Sequence, residues 1–276
     1  MPVPVVSRML DIPTTDGVAD AYLAHPAQGP ARASVLMFMD VFGLRPAFTA
    51  MADRLAGEGY LVLAPNLFYR RARSPLTELG DLLEPTQRAR VLEVVLPYLR
   101  ELEPDSVLRD TAAFLQFLDG CDVATGGQLP NAGRPPTPDP HGDASGGPAP
   151  IGMVGYCMGG MFGLHVAGRF GPRIAALASF HGGDLATEKP TSPHLGAAGI
   201  CAELYFAHAD NDPSAPPEQI ARLEAALDAA RVNYRSEVYP GCAHGFTQSD
   251  SPVHDPAATV RHWQEMLALF AHRLPS

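Results

Sequence analysis

A cysteine stands at position 157 with glycines two before and two after it, in the run Gly155-Tyr156-Cys157-Met158-Gly159-Gly160. The apolar segment 151–154 precedes this run, and a helical pattern to about residue 170 follows it. Strand, small-x-nucleophile-x-small turn, then helix is a nucleophile elbow, here with a thiol in place of the commoner hydroxyl. A nucleophile on so sharp a turn takes strained backbone angles, and the flanking glycines remove side chains that would collide there. The helix starting at Met158 aims unpaired N–H groups and a positive dipole end at the thiol. That favours the thiolate and offers the Met158 amide to an oxyanion. The bland alternative is a buried structural cysteine beside a glycine-rich turn. The strand and the helix lie where the elbow needs them, which favours chemistry.

A thiol nucleophile needs a base, and the base needs an orienting acid. In elbow sites the chain order is nucleophile, acid, histidine. His165 and His262 fall inside helical patterns and read as half-exposed helix residues, while His194 and His254 fall in Ser/Pro-rich loops and read as solvated. His181 and His208 end strands, and His181 is expected to line the site. His244 lies in Pro240-Gly-Cys-Ala-His-Gly-Phe246, a loop after the strand pattern 232–239 whose small residues let the ring reach the elbow. It is the expected base. Asp210 and Asp212, after the strand pattern 201–207, both qualify as the acid, and either could instead be a turn or cap residue. His208, Asp210 and Asp212 as a metal site would lack further ligands, so no metal is expected. The second oxyanion donor should come from the loop Asp40-Val41-Phe42-Gly43, most naturally the Val41 amide. Asp40 would then stand close to Cys157, unless it is a strand-end residue bonded to local backbone.

These groups must be carried on a framework. Segments 3–12 and 17–23 read as early strands; 34–39 and 60–64 are short continuous apolar runs, the pattern of strands buried on both faces. Phe48, Met51 and Leu55 between the last two recur at helical spacing, ended by Gly57 and Gly59, so the stretch is a βαβ unit and the sheet is parallel there. Residues 85–120 look mostly helical, 174–180 is a further strand, and 219–231 and 257–272 carry single apolar stripes of helices. About eight strands alternate with helices, which makes a three-layer α/β fold with a mostly parallel sheet.

The chain has 276 residues, 46% of them hydrophobic, enough for a full core and for one or two domains. A net charge of −10, with Lys189 the sole lysine and no basic block, argues against nucleic acid and anionic membrane surfaces as partners. No apolar run approaches a membrane span, and no secretion signal is evident at the N-terminus. Four cysteines without a CxxC pair read as reduced thiols in the cytoplasm. Prolines (28) and glycines (26) are in excess, and 13 of them fall within 126–150. That stretch reads as a loop or disordered insert, or as a domain linker. Because the triad needs strands from both sides of it, the expectation is a single domain over 1–276 with an insert at 126–150.

With these residues assembled, the sequence resembles the dienelactone hydrolase (carboxymethylenebutenolidase) family of α/β hydrolases. The matching elements are Met39-Asp-Val-Phe-Gly43, Gly59-Tyr-Leu-Val-Leu-Ala-Pro65, the elbow, Asp212-Pro-Ser-Ala-Pro216 and Ala243-His-Gly-Phe246. The resemblance implies an α/β-hydrolase fold and selects Asp212, four residues before a proline, as the acid. The implied triad is Cys157, Asp212 and His244. The family has an acidic residue, usually glutamate, at the place of Asp40, and arginines that grip a substrate carboxylate. One of those places is Gln248 here, and the other falls at Arg88 or Arg90. Phe42, Tyr156, His181 and Phe246 are expected with them around the substrate. The implied activity is hydrolysis of a small carboxylic ester or lactone through a thioester, without a cofactor, by a monomer or small homo-oligomer. Alternatives are a general carboxylesterase, thioesterase or acyltransferase, a non-catalytic ligand-binding relative, and an interaction protein working through 126–150.

Overall fold

The structure is a computed structural model that describes residues 3–121 and 148–274. The segment expected as an insert at 126–150 falls, up to residue 147, outside the described residues. Eight strands form one sheet: β1 (Val5–Thr14), β2 (Gly17–Pro26), β3 (Ser34–Phe38), β4 (Leu61–Pro65), β5 (Ile151–Tyr156), β6 (Ile174–Phe180), β7 (Glu203–Asn211) and β8 (Tyr234–Ala243). Their spatial order is β1-β2-β4-β3-β5-β6-β7-β8. β1 and β2 are antiparallel to their neighbours, and every pair from β4 across to β8 is parallel. The hydrophobicity of the strands follows this layout. β3, β4 and β5 are buried at every position because helices cover both faces, so they read as unbroken apolar runs. β1, an edge strand, is mostly exposed.

The helices are α1 (Pro46–Gly57), α2 (Pro85–Glu101), α3 (Pro104–Gly120), α4 (Met158–Phe170), α5 (Pro217–Ala230) and α6 (Pro256–Arg273). α1 and α6 share one face of the sheet, where the Arg54 guanidinium lies 4.2 Å from the Trp263 ring centroid. α3, α4 and α5 cover the other face. Five of these six helices begin with proline, whose fixed φ suits a first helical turn that has no N–H partner to lose. Helix starts therefore account for a share of the proline excess, apart from 126–150. The helical stretch 85–120 is two helices, because Leu102 and Glu103 are extended ahead of Pro104.

Strand ends differ from the sequence expectation where they matter most. β7 runs on to Asn211 and β8 to Ala243, four residues past each expected end. A register irregularity between Ala209 and Asn211 permits this, with the Gly241 amide donating to Asp210 Oδ2 at 3.0 Å. Residues 240–242 are thus strand rather than loop, and His244 follows the strand directly.

Candidate active site

Cys157 follows β5 and caps α4 with φ 55° and ψ −120°, a left-handed conformation that an L-residue holds only under strain. The surrounding glycines are required. A Cβ at Gly155 would collide with the backbone of Gly159 and Gly160, and one at Gly159 would collide with the carbonyls of Phe38 and Met39. A Cβ at Gly160 would strike the Ser179 hydroxyl. The elbow therefore wedges the start of α4 against the end of β3, which brings the Asp40–Gly43 loop beside Cys157. The Cys157 amide donates to Phe180 O at 3.1 Å and ties the turn to β6.

His244 Nδ1 lies 2.6 Å from Asp212 Oδ2. The other carboxylate oxygen, Oδ1, accepts from the Ser214 amide at 2.9 Å and from the Ser214 hydroxyl at 2.6 Å. Ser214 thereby fixes the carboxylate with one oxygen presented to the imidazole. Burial pushes the Asp212 carboxyl up, but His244 and Ser214 outweigh burial and hold it below its ordinary value. For His244, burial disfavours the imidazolium. The negative charge and hydrogen bond of Cys157, with those of Asp212, outweigh that and raise it to about 10. The expected nucleophile, base and acid are thus brought together, with the imidazole between thiol and carboxylate.

His208, Asp210 and Asp212 do not converge. The His208 ring turns to Ser236 Oγ at 3.2 Å, and Asp210 ties β7 to β8. Among the described residues no group of three or more His, Cys, Asp or Glu could hold a metal.

Other expected site residues fall differently. Phe42 is buried in the loop after β3, with the Arg88 guanidinium 4.4 Å from its ring centroid. Arg88, on α2, is half-buried; burial lowers its pKa, while Asp40, Asp250 and Cys157 act on it as nearby negative charges. Among the described residues it forms no ion pair within 4 Å, and its guanidinium rests on Phe42 within the field of Asp40, Asp250 and Cys157. Arg90, two residues further on and so on the far side of α2, is exposed and is not brought to the site. Tyr156 is not a pocket residue: strand alternation turns it under the sheet, fully buried, with its hydroxyl 2.9 Å from His262 Nε2. His262 is correspondingly fully buried rather than half-exposed. Phe246 is also buried, stacked on Tyr239 and set edge-on to His181.

His181 does not line the site but lies beneath it. It takes a left-handed φ of 40°, packs its ring 5.2 Å from that of His244, and pairs Nε2 with Thr247 Oγ1 at 2.8 Å. Burial, then the neighbouring histidines, keep it neutral. Gln248 is buried, with Oε1 accepting from Arg45 at 3.2 Å. Asp40 pairs with Arg45 through both oxygens, at 2.7 and 2.9 Å, and Oδ1 also accepts from the Phe42 amide at 2.9 Å. The carboxylate near the thiol is thus satisfied by both a guanidinium and local backbone.

Arg45 and Ser214 escaped sequence reasoning. Ser214 was legible in principle, because Asp-x-Ser is an Asx-turn pattern. Nothing local marks Arg45, whose partners Gln248 and Asp250 lie some two hundred residues away in the chain.

A mostly parallel eight-stranded sheet, with a strained residue between a central strand and its helix, is the framework of an α/β hydrolase. Within that class the chain belongs to the dienelactone hydrolase family, whose profile matches residues 19–128 and 143–274. A relative from Synechocystis sp., named "Putative carboxymethylenebutenolidase", is 26% identical over 99% of this chain and 100% of its own length. One of the same name from Escherichia coli K12 is 27% identical over 96% of this chain and 87% of its own. A crystal structure titled as a putative dienelactone hydrolase from Klebsiella pneumoniae superposes with a TM-score of 0.75 at 22% identity, covering 97% of this chain and 99% of that one. A dienelactone hydrolase-like promiscuous phosphotriesterase from metagenomic libraries gives 0.70 at 20% identity over 98% and 99%. No helix among the described residues is long and apolar enough to cross a membrane.

Proposed function

We propose that this hydrolase cleaves small carboxylic esters or lactones with a Cys157–His244–Asp212 triad. The observation that carries the reading is the His244–Asp212 bond of 2.6 Å beside a thiol held at φ 55°. The Cys157 thiolate attacks the carbonyl carbon, and the oxyanion is received by the amides of Val41 and Met158. Loss of one such donor typically costs about 10²–10³ in rate. As the thiolate becomes a thioester, the charge that raised His244 disappears. The imidazolium then gives up its proton to the departing alkoxide. The neutral ring next takes a proton from water, which attacks the thioester, releases the carboxylic acid and regenerates the thiolate–imidazolium pair. Asp212 keeps the Nδ1–H tautomer aimed throughout.

Arg88 supports a substrate that carries a carboxylate at some distance from the reacting carbonyl, with a dienelactone among the candidates. Gln248, already engaged by Arg45, provides no second cation. The four free cysteines fit a reducing compartment, and we read the enzyme as cytoplasmic. The test is turnover of dienelactone and of small aryl esters, with mass spectrometry of the quenched enzyme. We expect an acyl adduct on Cys157 and no turnover by Cys157→Ala. Full activity in that variant would overturn the mechanism.

A further inference from the structure

The segment 181–184, which follows β6, meets two loops of the site at once. Gly183 has no side chain where a Cβ would strike the Ser214 hydroxyl, and the Asp184 amide donates to Ser214 O at 2.8 Å. Ser214 is the residue that fixes Asp212. The His181 amide donates to Ala207 O at 2.8 Å, and the His181 ring reaches the loop after β8. There Nε2 pairs with Thr247 Oγ1 at 2.8 Å, and the same oxygen accepts from Gln248 Nε2 at 3.2 Å. The loop of the acid and the loop of the base are thus fastened to one short segment.

His181 also supplies the ring packed under His244, at a centroid distance of 5.2 Å and an interplanar angle of 63°. Rings at that spacing favour an edge-on arrangement. Ala243 and Gly245, on either side of His244, are too small to hold its ring. Filling space would not call for a histidine here. An apolar ring would pack as well at a fully buried position, whereas His181 buries Nδ1 without a hydrogen-bond partner and holds a left-handed φ of 40°. What the histidine adds is the bond to Thr247. A cationic ring would leave the Nδ1–H without an acceptor, so the ring stays uncharged and does not oppose the imidazolium of His244. The titratable and charged groups about the two rings are Tyr156 from β5, His262 from α6, and Cys157 and Asp212 on either side of His244.

We propose that His181 is a positioning residue of the reaction: bonded to Thr247 and set edge-on beneath His244, it holds the imidazole plane between Cys157 and Asp212. This rests on the reading of those three residues as the triad. The His244 ring is tied at Nδ1 to Asp212 Oδ2 and, more loosely, to Ser214 Oγ at 3.4 Å. Both ties meet the same atom and leave the ring free to tilt about it. The edge of His181 removes that tilt.

The test compares T247V, which removes the hydroxyl and keeps the shape, with T247S, which keeps the hydroxyl. The readouts are kcat and KM on an aryl ester and the His244 midpoint by NMR. T247V should lower kcat about ten-fold with KM changed less than about two-fold. It should also lower the His244 midpoint by about one pH unit, because the ring then meets its two partners less squarely. T247S should stay within about two-fold of the native kcat and keep the native midpoint. H181F keeps a ring and loses the bond, so it should match T247V, and H181F with T247V should be no worse than either alone. If H181F does not fold, the two variants at position 247 decide. A native kcat and midpoint in T247V, even with a lowered Tm, would make His181 a core histidine and overturn the proposal. Additive losses in H181F and T247V would overturn it too, since the two would then share no bond. Absence of accelerated iodoacetamide alkylation at Cys157 in the unmodified enzyme would overturn the triad reading, and the role of His181 with it.

Discussion

Removing the thiol should lower the proton affinity of His244. In the native site burial works against the imidazolium, yet Cys157 and Asp212 carry the ring from an ordinary 6.5 up to about 10. That corresponds to roughly 5 kcal/mol in favour of the charged ring. The gross favourable contribution is larger still, since it also offsets burial. The charge of Cys157 leads it, followed by the hydrogen bond to Asp212. Taking away the leading contribution, with burial still opposing the charged ring, therefore lowers its proton affinity. In Cys157→Ala the ring should titrate clearly below its native midpoint. The assay is NMR of histidine-labelled protein from pH 5 to 11, with His244→Gln to assign the resonance. A midpoint still near 10 in Cys157→Ala would mean that Cys157 is not the partner that charges the ring. An ordinary midpoint in the unmodified enzyme would refute the argument from the other side.

Gly155→Ala should cost several kcal/mol and sharply lower soluble yield and Tm, because its Cβ meets the backbone of Gly159 and Gly160. Gly160→Ala should cost less and be partly rescued by Ser179→Ala, since there the obstacle is a hydroxyl. Ser214→Ala removes one of the two hydrogen bonds that fix Oδ1 of Asp212 and should lower kcat about ten-fold with KM little changed, measured by steady-state kinetics. Arg88→Met should raise KM for esters bearing a carboxylate by about ten-fold or more and leave neutral esters nearly unaffected, as a comparison of the two substrate sets would reveal.

The parts of this molecule that were legible in sequence are those fixed by local pattern. The apolar runs of β3 and β4 announce strands buried on both faces, and Gly155, Gly159 and Gly160 announce a turn with no space for side chains. The order nucleophile, acid, histidine followed from the same logic. Side chains whose direction depends on the pleat were less legible. Tyr156 and Phe246 neighbour functional residues in sequence, yet the chain turns them into the core. His262 reads as a half-exposed helix residue because its partner, Tyr156, lies on another element altogether. The strand ends at Asn211 and Ala243 lie past those the sequence implies because a register irregularity, not residue type, extends the pairing. Arg45 was the least legible, since its role exists only once two distant loops meet.

The central pairing of β3 with β5 has a bearing on how activity emerges during folding. Cys157, Asp212 and His244 all sit on the run from β5 to β8, whereas Val41 and Arg45 sit just after β3. α1, β4, α2 and α3 intervene in the chain between these two adjacent strands. Contacts between segments so far apart in sequence form slowly relative to local ones. A refolding intermediate with the C-terminal strands in place would hold an alkylatable thiol without the Asp40–Gly43 loop that we propose for the oxyanion. Recovery of turnover, followed against recovery of alkylation, then becomes a stopwatch for the closing of the sheet at its centre.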